Sequence, residues 1–326
     1  MSIHWAAVVL ACEPEQLDAT LAFFCDRLEF RVDAILPADT PEIAELSGHG
    51  LRIRLEPAGA GFASGPGTLR LVCNDPATIG DDAVELEAPN GTRVLLVEPA
   101  PELVVPPMRP ALAITRLAEG GWSERRAGMQ YRDLIRDRQG GRFAASHIRI
   151  PTAGPVPDYV HFHKVRLQMS YCYKGWVRVV YEDQGPPFVL RAGDCLLQPP
   201  GIRHQVLESS AGLELIEISS PAEHETLADR ERLLPTATIN RKREYEGQRF
   251  VRHELATAPW GPWRLPGFEA RDLGFTQATK GMARGRVARR FGIARPQPTR
   301  HEGELLFLFV LAGTTCHYIA ILRYAI

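Results

Sequence analysis

Short apolar runs separated by glycine and proline make up most of this 326-residue chain. The pattern is typical of an all-β protein with many turns. In the first hundred residues it predicts strands at 4–11, 30–36, 44–47, 51–56, 68–73 and 92–98. A helix is predicted over 14–28, because four apolar residues recur there at helical spacing. They are Leu17, Leu21, Phe24 and Leu28.

Proline marks a predicted domain boundary. Five prolines lie between residues 99 and 110, which predicts a semi-rigid linker over 101–110. We therefore expect a first domain at 1–100, a second at 111–235 and a third at 250–326. A polar stretch at 222–234 has the composition of a helix at the end of the second domain.

Weak internal similarity relates the second and third domains. Arg132-Asp133-Leu134 matches Arg271-Asp272-Leu273, and two further positions recur at one shared offset of 138 residues: His163 and Gly175 match His301 and Gly313. Similarity at this period predicts a duplicated domain. The second copy is incomplete before residue 326, which leaves open a truncation, a frameshift or a half-barrel that borrows strands. An open sheet edge favours association, so we expect a homodimer.

Composition narrows the class of protein without naming a function. The formal net charge is −1, so no global field attracts nucleic acid or anionic lipid. The six cysteines are irregularly spaced and form no C-x-x-C pair. Neither a signal peptide nor an apolar run of membrane-spanning length is present in the sequence. We expect a reduced, cytoplasmic protein that binds a small molecule, with neither nucleic acid nor membrane as partner.

Three histidines form the strongest chemical pattern. His161 and His163 are two residues apart and therefore point to the same face of a strand. The tight turn at Pro199-Pro200-Gly201 then delivers His204 onto another strand. Imidazole is a ligand for iron, nickel, copper or zinc. Three such groups converging inside a barrel would leave open positions on a metal ion for water, substrate or dioxygen.

The spacing of these residues resembles the two motifs of the cupin superfamily. The first motif is present as His161-x-His163-x4-Gln168-x6-Gly175, and the second as Gly193-x5-Pro199-x-Gly201-x2-His204. The resemblance covers about 95 residues. It implies a double-stranded β-helix, or jelly-roll barrel, in the second domain and a partial, bicupin-like copy in the third. It also implies a divalent transition metal held by His161, His163, His204 and Gln168.

The main departure from the motif is Gln168, which stands where the family has glutamate. An amide supplies no negative charge, so three neutral imidazoles leave the ion its full double charge. Such a site favours an anionic ligand such as an enolate, carboxylate or catecholate. Cupin dioxygenases that act on gentisate or β-diketones bind iron with three histidines. The resemblance therefore favours Fe(II), with Mn, Ni and Zn as alternatives.

Strand alternation predicts further residues on the inner face of the barrel. Those on the same face as Gln168 and His204 are Ser170, Cys172, Lys174, Val206 and Glu208. We take Gln168 and Glu208 as the candidate catalytic residues. Cys172 is expected to be a small buried side chain. Arg166 and Arg203 are candidates for pairing with an anionic substrate, although surface exposure is commoner for arginine.

The third domain retains one histidine of the set, His301. Thr299 falls where His161 would be, and Leu306 falls where Gln168 would be. Glu302 and Glu304 lie nearby, so a rebuilt site is an alternative. We expect a degenerate copy that holds no metal.

The first domain resembles the vicinal-oxygen-chelate, or glyoxalase-like, family. The resemblance lies in residues 4–10, 21–32 and 89–98, where the last segment opens with the turn Pro89-Asn90-Gly91-Thr92. It implies an α+β domain with metal ligands at His4, Glu56 and Glu98. A fourth ligand position falls near Thr68, a poor ligand, and one helix is missing between 74 and 82. We therefore expect a worn-down, structural version of this domain.

Together these patterns predict a mainly β chain with a mononuclear-metal cupin enzyme at its centre. The expected reaction is dioxygenase-type oxidation of a small organic acid or enolisable compound. A second hypothesis is a small-molecule-binding or sensory cupin without turnover. A third is a non-redox isomerase or lyase, for which Glu208 would be the base.

Overall fold

The fold is described from a computed structural model. It describes residues 3–27, 30–48, 50–57, 68–77, 84–87, 93–99, 102–118, 120–124, 128–293, 301–312 and 318–324. Within these ranges the chain separates into two compact units, 1–104 with 223–229 and 105–222 with 230–326. Leu28, the turn at 89–92, Thr299 and Gly313 lie outside the described residues. The division of the second unit into two domains stays a prediction.

The chain is mainly β, as the sequence predicts. In the first half the strands are β1 Ile3–Ala11, β2 Arg31–Leu36, β3 Ile43–Gly48, β4 Leu51–Glu56, β5 Thr68–Cys73, β6 Glu85–Glu87, β7 Arg93–Val97, β8 Ser123–Glu124, β9 Gln130–Asp133, β10 Ala144–Ile150, β11 Gly154–Pro155 and β12 His161–His163. Next come β13 Leu167–Lys174, β14 Trp176–Tyr181, β15 Phe188–Arg191, β16 Cys195–Gln198, β17 His204–Ser209, β18 Leu213–Ser220 and β19 Thr226–Ala228. The remaining strands are β20 Glu244–Tyr245, β21 Gln248–Arg249, β22 Val251–His253, β23 Gly261–Pro262, β24 Phe268–Asp272, β25 Ala283–Arg290, β26 Leu306–Val310 and β27 Tyr318–Tyr324.

Helices are few and short. The first is α1 Leu17–Ala22, which lies between a 3₁₀ turn at Pro14–Gln16 and a π-helical turn at Phe23–Arg27. The others are the single turns α2 Arg138–Gly141 and α3 Phe275–Ala278. All four residues of α2 have positive φ, so this turn is left-handed. None of the helices among the described residues is long and apolar enough to cross a membrane.

The first unit is one sheet with α1 beside it. Its strand order is β19-β2-β3-β4-β1-β5-β7-β6, with parallel pairing between β1 and β4 and between β5 and β7. The predicted apolar stripe of α1 supplies Leu17 to a core with Leu46 and Leu55. The sequence prediction of a helix at 222–234 is wrong. That stretch, all of it described, contains β19, because Thr226 and Leu227 pair with the edge strand β2.

The second unit contains a jelly-roll barrel, which confirms the fold predicted from the sequence. One sheet has the order β15-β14-β17-β12, with β11 also on β17, and the other runs β22-β16-β13-β18-β10-β9-β8. The apolar part of the barrel interior takes side chains from both sheets, including Val177 of β14, Cys172 of β13 and Leu196 of β16. Side chains that alternate with these along the larger sheet, such as Met169 and Leu197, form a second apolar cluster on its outer face.

A third sheet lies within the same unit. Its order is β23-β24-β25-β27-β26, and a shared apolar cluster joins it to the outer face of the larger barrel sheet. Trp122 and Trp260 are 138 positions apart in the sequence, and each has two arginine side chains over its ring. Arg132 and Arg149 lie over the Trp122 ring, and Arg271 and Arg289 lie over the Trp260 ring. The two sets of cation–π contacts are alike in kind, and the duplication itself stays a prediction.

Candidate metal centre

Two neighbouring strands bring the three histidines together. His161 of β12 lies directly opposite His204 of β17 in the antiparallel register. The ring centroids are 4.2 Å apart for His161 and His204, 5.1 Å for His161 and His163, and 5.2 Å for His163 and His204. One ring nitrogen from each residue lies within 4.8 Å of the others. Among the described residues this group could therefore hold one metal ion.

A glycine turn places the third histidine. Gly201 has a φ of +70°, a conformation that residues with a Cβ rarely adopt. Its backbone N–H donates to the carbonyl oxygen of His163 over 3.1 Å. This bond ties the turn before β17 to the strand that carries the other two histidines, so the motif spacing becomes a three-dimensional site.

Backbone carbonyls select the nitrogen that each of two rings would offer. His161 Nδ1 lies 2.8 Å from the carbonyl oxygen of Tyr159, and His204 Nδ1 lies 3.1 Å from that of Ile202. A carbonyl only accepts, so Nδ1 carries the hydrogen in both rings. Nε2 is then the unprotonated nitrogen, which is the form that binds a metal.

Burial keeps His204 neutral. Desolvation lowers the pKa of His204 well below its ordinary value of 6.5, and the nearby His161 lowers this pKa further. A neutral imidazole does not need to lose a proton before it binds a cation. Imidazole nitrogens suit transition metals such as iron, nickel, copper and zinc, whereas Mg²⁺ and Ca²⁺ prefer oxygen ligands. The three histidines therefore fit a divalent transition metal.

Gln168 occupies the inner face of β13 and is almost fully buried. It lies opposite Gln198 of β16 and Ser219 of β18 in the two antiparallel ladders. Its Oε1 accepts a hydrogen bond of 3.3 Å from Gln198 Nε2. The predicted inward direction of this side chain agrees with the register, because residues directly opposite one another share a face.

Tyr181 connects this amide pair to the histidines. Its ring stacks on His204 with centroids 5.1 Å apart and planes 12° apart. Its hydroxyl donates to Gln198 Oε1. Burial raises the pKa of Tyr181 well above 10.0, and the carboxylates of Glu217 and Asp158 raise the pKa further. The phenol is therefore neutral and keeps its hydrogen.

A carboxylate that the sequence analysis missed lies on the inner face. Glu217 of β18 is opposite Ser170 of β13, and Ser170 Oγ donates to Glu217 Oε2 over 3.3 Å. Its charge acts on Tyr181, so it lies in the same polar end of the barrel. The sequence does carry a signal for Glu217, Gln198 and Tyr181. Each is a polar residue at an inward-facing position of a mostly apolar strand.

Glu208, the predicted catalytic carboxylate, has a different environment. Its Oε2 accepts a hydrogen bond of 3.1 Å from Arg178 Nε, and both side chains are more than a third exposed. Among the described histidines, cysteines and acidic residues, the group that could hold an ion contains the three histidines and not Glu208. The structure thus gives Glu208 a surface ion pair, whereas Glu217 and Asp158 are the carboxylates whose charges act on Tyr181.

The other residues on the predicted inner face divide into buried and exposed groups. Cys172 is fully buried in the apolar part of the barrel, where Val206 packs against the same cluster. Lys174 lies at the end of its strand, exposed, and pairs with Glu214. The two candidate arginines have protein partners: Arg166 pairs with Glu304, and Arg203 lies over the Phe162 ring.

Neither of the other two candidate metal sites assembles among the described residues. In the first unit His4 Nε2 lies 2.7 Å from Asn74 Oδ1, Glu56 pairs with Arg54, and Glu98 is exposed. In the third predicted domain His301 is exposed, and Glu304 pairs with Arg142. Groups of metal-binding geometry in the described ranges are confined to the barrel.

Comparison with known proteins gives structural neighbours and no closer relative. No protein-family model and no curated protein matches the chain. An RmlC-like cupin from Shewanella frigidimarina is 25% identical, with 35% of this chain and 96% of that chain covered and a TM-score of 0.29. KdgF from Halomonas sp. is 17% identical over 34% and 94%, with a TM-score of 0.29. Oxalate decarboxylase from Bacillus subtilis is 11% identical over 69% and 70%, with a TM-score of 0.38. These neighbours are cupins, but likenesses this weak say nothing about the reaction.

Proposed function

We propose that the barrel is a mononuclear-metal cupin enzyme that acts on a small organic acid or an enolisable oxygenated compound, by a dioxygenase-type reaction. The observation that carries this proposal is the convergence of His161, His163 and His204 on one point, with their ligand atoms within 4.8 Å. Three ligands from one side leave the opposite side of an ion open to substrate.

The proposed metal is Fe(II), with Mn, Ni and Zn as alternatives. His161, His163 and His204 would hold it, and the ion would supply Lewis acidity and, for iron, dioxygen chemistry. Three neutral imidazoles with the amide of Gln168 add no negative charge to the site. The charge balance therefore favours a substrate that binds as an anion.

The chain's own residues would orient the substrate and move its protons. Tyr181 is a neutral, buried hydroxyl that holds Gln198 in place. Glu217 is a carboxylate at this end of the barrel that would accept a proton from an acidic carbon or hydroxyl. The apolar cluster below them, which includes Val177 and Leu196, keeps bulk water from the interior.

Glu217 also favours a second candidate reaction. A non-redox isomerase or lyase needs a base beside the metal, and Glu208, the base expected from the sequence, pairs with Arg178 instead. Glu217 accepts a hydrogen bond from Ser170 and lies close enough to Tyr181 to raise its pKa. In this alternative the same residues would catalyse proton transfer without dioxygen.

For the first unit we propose a structural, glyoxalase-like domain. The order β1, α1, β2, β3, β4 with β1 parallel to β4 supports this proposal. His4 and Glu56 have separate protein partners and Glu98 is exposed, which favours a structural role over a second metal site. For the whole chain we propose a cytoplasmic homodimer that takes a small-molecule substrate.

Metal analysis tests the proposed function. Protein produced without a metal-binding tag should contain about one transition-metal ion per chain. The His161→Ala/His204→Ala variant should lose the metal, whereas His301→Ala, at an exposed histidine outside the cluster, should retain it. Absence of metal from the purified protein, and no uptake of added Fe(II), Mn(II), Ni(II) or Zn(II), would overturn the proposal.

Oxygen uptake separates the reaction types. With a panel of enolisable acids, dioxygen consumption coupled to product formation would support the dioxygenase. Product formed equally well without oxygen would favour the isomerase or lyase. Ligand-induced thermal stabilisation with no product would identify a binding or sensory module.

A further inference from the structure

A chain of three buried side chains leads from the His204 ring to Gln168. The Tyr181 ring stacks on His204, the Tyr181 hydroxyl donates to Gln198 Oε1, and Gln198 Nε2 donates to Gln168 Oε1. All three side chains are at least nine-tenths buried. The order of donors and acceptors along this chain decides which end of the Gln168 amide is engaged by protein.

The phenolic hydrogen fixes that order. An amide can be turned by 180°, so the reverse chain, in which Gln198 Nε2 donates to Tyr181, has the same heavy-atom positions. In the reverse chain the Tyr181 O–H would need another acceptor. Among the described residues, the hydrogen-bond partner within reach of this hydroxyl is Gln198 Oε1. An unmade hydrogen bond at a buried hydroxyl is costly, so the order that begins with Tyr181 as donor is favoured.

The consequence falls on the Nε2 group of Gln168. Its Oε1 is occupied by Gln198, and within the described part of the chain no acceptor bonds to its Nε2. Gln168 follows His163 by five residues in the cupin-like motif, and its side chain lies on the inner face of β13. The free N–H groups of this amide therefore need an acceptor from outside the protein.

We propose that Gln168 is a hydrogen-bond donor to an oxyanion bound at the three histidines, rather than a metal ligand, and that Tyr181 holds it in this orientation through Gln198. This inference rests on the proposed metal site and defines its substrate class. The substrate presents a carboxylate or enolate oxygen at the metal. Glutamate at this position would repel that oxygen, whereas the amide donates to it.

Anion affinity tests the proposal separately from metal binding. The protein is loaded with Co(II), the metal affinity is measured by calorimetry, and azide is titrated while the visible spectrum of the Co(II) site is recorded. Tyr181→Phe keeps the ring stack on His204 and removes the hydroxyl. It should weaken azide binding about threefold to tenfold, the worth of one hydrogen bond, and leave Co(II) affinity unchanged.

Gln168 variants complete the experiment. Gln168→Ala should weaken azide binding at least as much as Tyr181→Phe, and Gln168→Glu should weaken it further by repulsion. The Tyr181→Phe/Gln168→Ala double variant should bind azide no more weakly than Gln168→Ala alone, because Tyr181 acts through Gln168. Tyr245→Phe is the matched control, since its buried hydroxyl has no partner among the described residues; its azide affinity should equal that of the wild type.

Three results would overturn the inference. One is equal azide affinity in Tyr181→Phe and Tyr245→Phe. Another is additive losses from Tyr181→Phe and Gln168→Ala. The third is a tenfold or greater loss of Co(II) affinity in Gln168→Ala, which would make Gln168 a metal ligand. Failure of the wild type to bind Co(II) would instead overturn the proposed function itself, and unchanged circular dichroism in each variant confirms that the fold is retained.

Discussion

At the scale of single residues, burial decides what each polar group in the barrel can do. Cys172 shows this clearly, because a thiol close to a redox metal would be a liability if it ionised. Its side chain is fully buried, and its Sγ lies 3.6 Å from the carbonyl oxygen of Gly175. Desolvation, with a smaller contribution from Asp194, raises the pKa of Cys172 to about 12. The thiol is therefore an apolar packing group, as the sequence analysis expected.

The thiol of Cys172 should be inert in the folded protein. Under native conditions at pH 8 a disulfide reagent such as DTNB should titrate the same number of thiols in the wild type and in Cys172→Ser. In guanidinium chloride the variant should titrate one thiol fewer. Cys25, which is partly exposed, provides the comparison, because Cys25→Ser should lower the native count. A lower native count in Cys172→Ser would contradict the assignment of Cys172 to the core.

The same scale shows which site residues the sequence could predict. His161 and His163 are two residues apart on one strand, and the turn residues of the second motif have fixed offsets from His204, so the resemblance to the two motifs predicted their convergence. Tyr181, Gln198 and Glu217 come from three other strands. Their proximity depends on the strand register, which is set by pairings far apart in sequence. Alternation alone placed Glu208 inside, although its ion pair with Arg178 makes it a surface residue.

At the scale of elements, the turns of the barrel differ in what they tolerate. Gly175 and Gly201 both have positive φ, of 74° and 70°. A Cβ at Gly175 would lie 2.4 Å from Ser210 Oγ and 3.2 Å from the Leu213 Cα, whereas a Cβ at Gly201 would meet no atom within 4 Å. The Ser210 hydroxyl is itself engaged, because it accepts a hydrogen bond from the Trp176 N–H.

The two glycines therefore form a matched pair of substitutions. Gly201→Ala should destabilise the protein by about 1 kcal/mol through backbone strain alone. Gly175→Ala should cost roughly 2–4 kcal/mol, because the same strain is joined by a steric clash and by loss of the hydrogen bond to Trp176. Thermal unfolding of both variants measures the difference. Equal losses would show that the Ser210 side chain can move away without cost.

A partly buried ion pair anchors the start of β26 to the end of the left-handed turn α2. Glu304 receives two hydrogen bonds from Arg142, of 2.7 and 2.9 Å, and pairs with Arg166 at 3.3 Å. The hydrogen bonds from Arg142 hold the pKa of Glu304 below its ordinary value of 4.5, and Arg166 lowers the pKa further. A lowered carboxylate pKa adds stability that is present above pH 4.5 and is lost as the pH falls through the folded-state pKa.

Glu304→Gln should consequently destabilise the second unit by about 1–3 kcal/mol at pH 7. The difference from the wild type should shrink below pH 4.5, where Glu304 itself becomes protonated. Calorimetry at pH 7, 5 and 3.5 measures this trend, and Glu231→Gln, at an exposed carboxylate, serves as the control. A destabilisation that is independent of pH would mean that packing, and not the ion pair, is the role of Glu304.

The type of an element could be predicted where its hydrophobic periodicity extends over many residues. The residues at which it begins and ends could not. The helix predicted over 14–28 is divided into a 3₁₀ turn, the six-residue α1 and a π-helical turn. The predicted helix at 222–234 fails for a different reason, since hydrogen bonds to β2 outweigh the weak helical propensity of a polar segment. Tertiary pairing of this kind cannot be inferred from a window of ten residues.

At the scale of the whole second unit, one apolar cluster joins the barrel to the third sheet. It contains Met169, Leu197 and Ile216 from the barrel, with Phe275, Val287 and Phe307 from the later segments. A sheet that covers another buries far more apolar surface than either could alone, and this burial dominates stability. The barrel and the third sheet should therefore unfold together.

Phe275→Ala tests this coupling. Phe275 is fully buried in α3, and its removal should cost about 3–5 kcal/mol through lost burial and a cavity. If the barrel and the third sheet are one cooperative unit, the temperature at which the loaded protein releases its metal should fall by roughly 10 °C. Ile293→Ala, at a side chain that is 87% exposed in the same segment, should leave this temperature unchanged. The contrary result is a separate low-temperature transition in Phe275→Ala, with metal release at the wild-type temperature. It would make the third sheet an independent folding unit. The histidine site would then owe its stability to the barrel's interior alone.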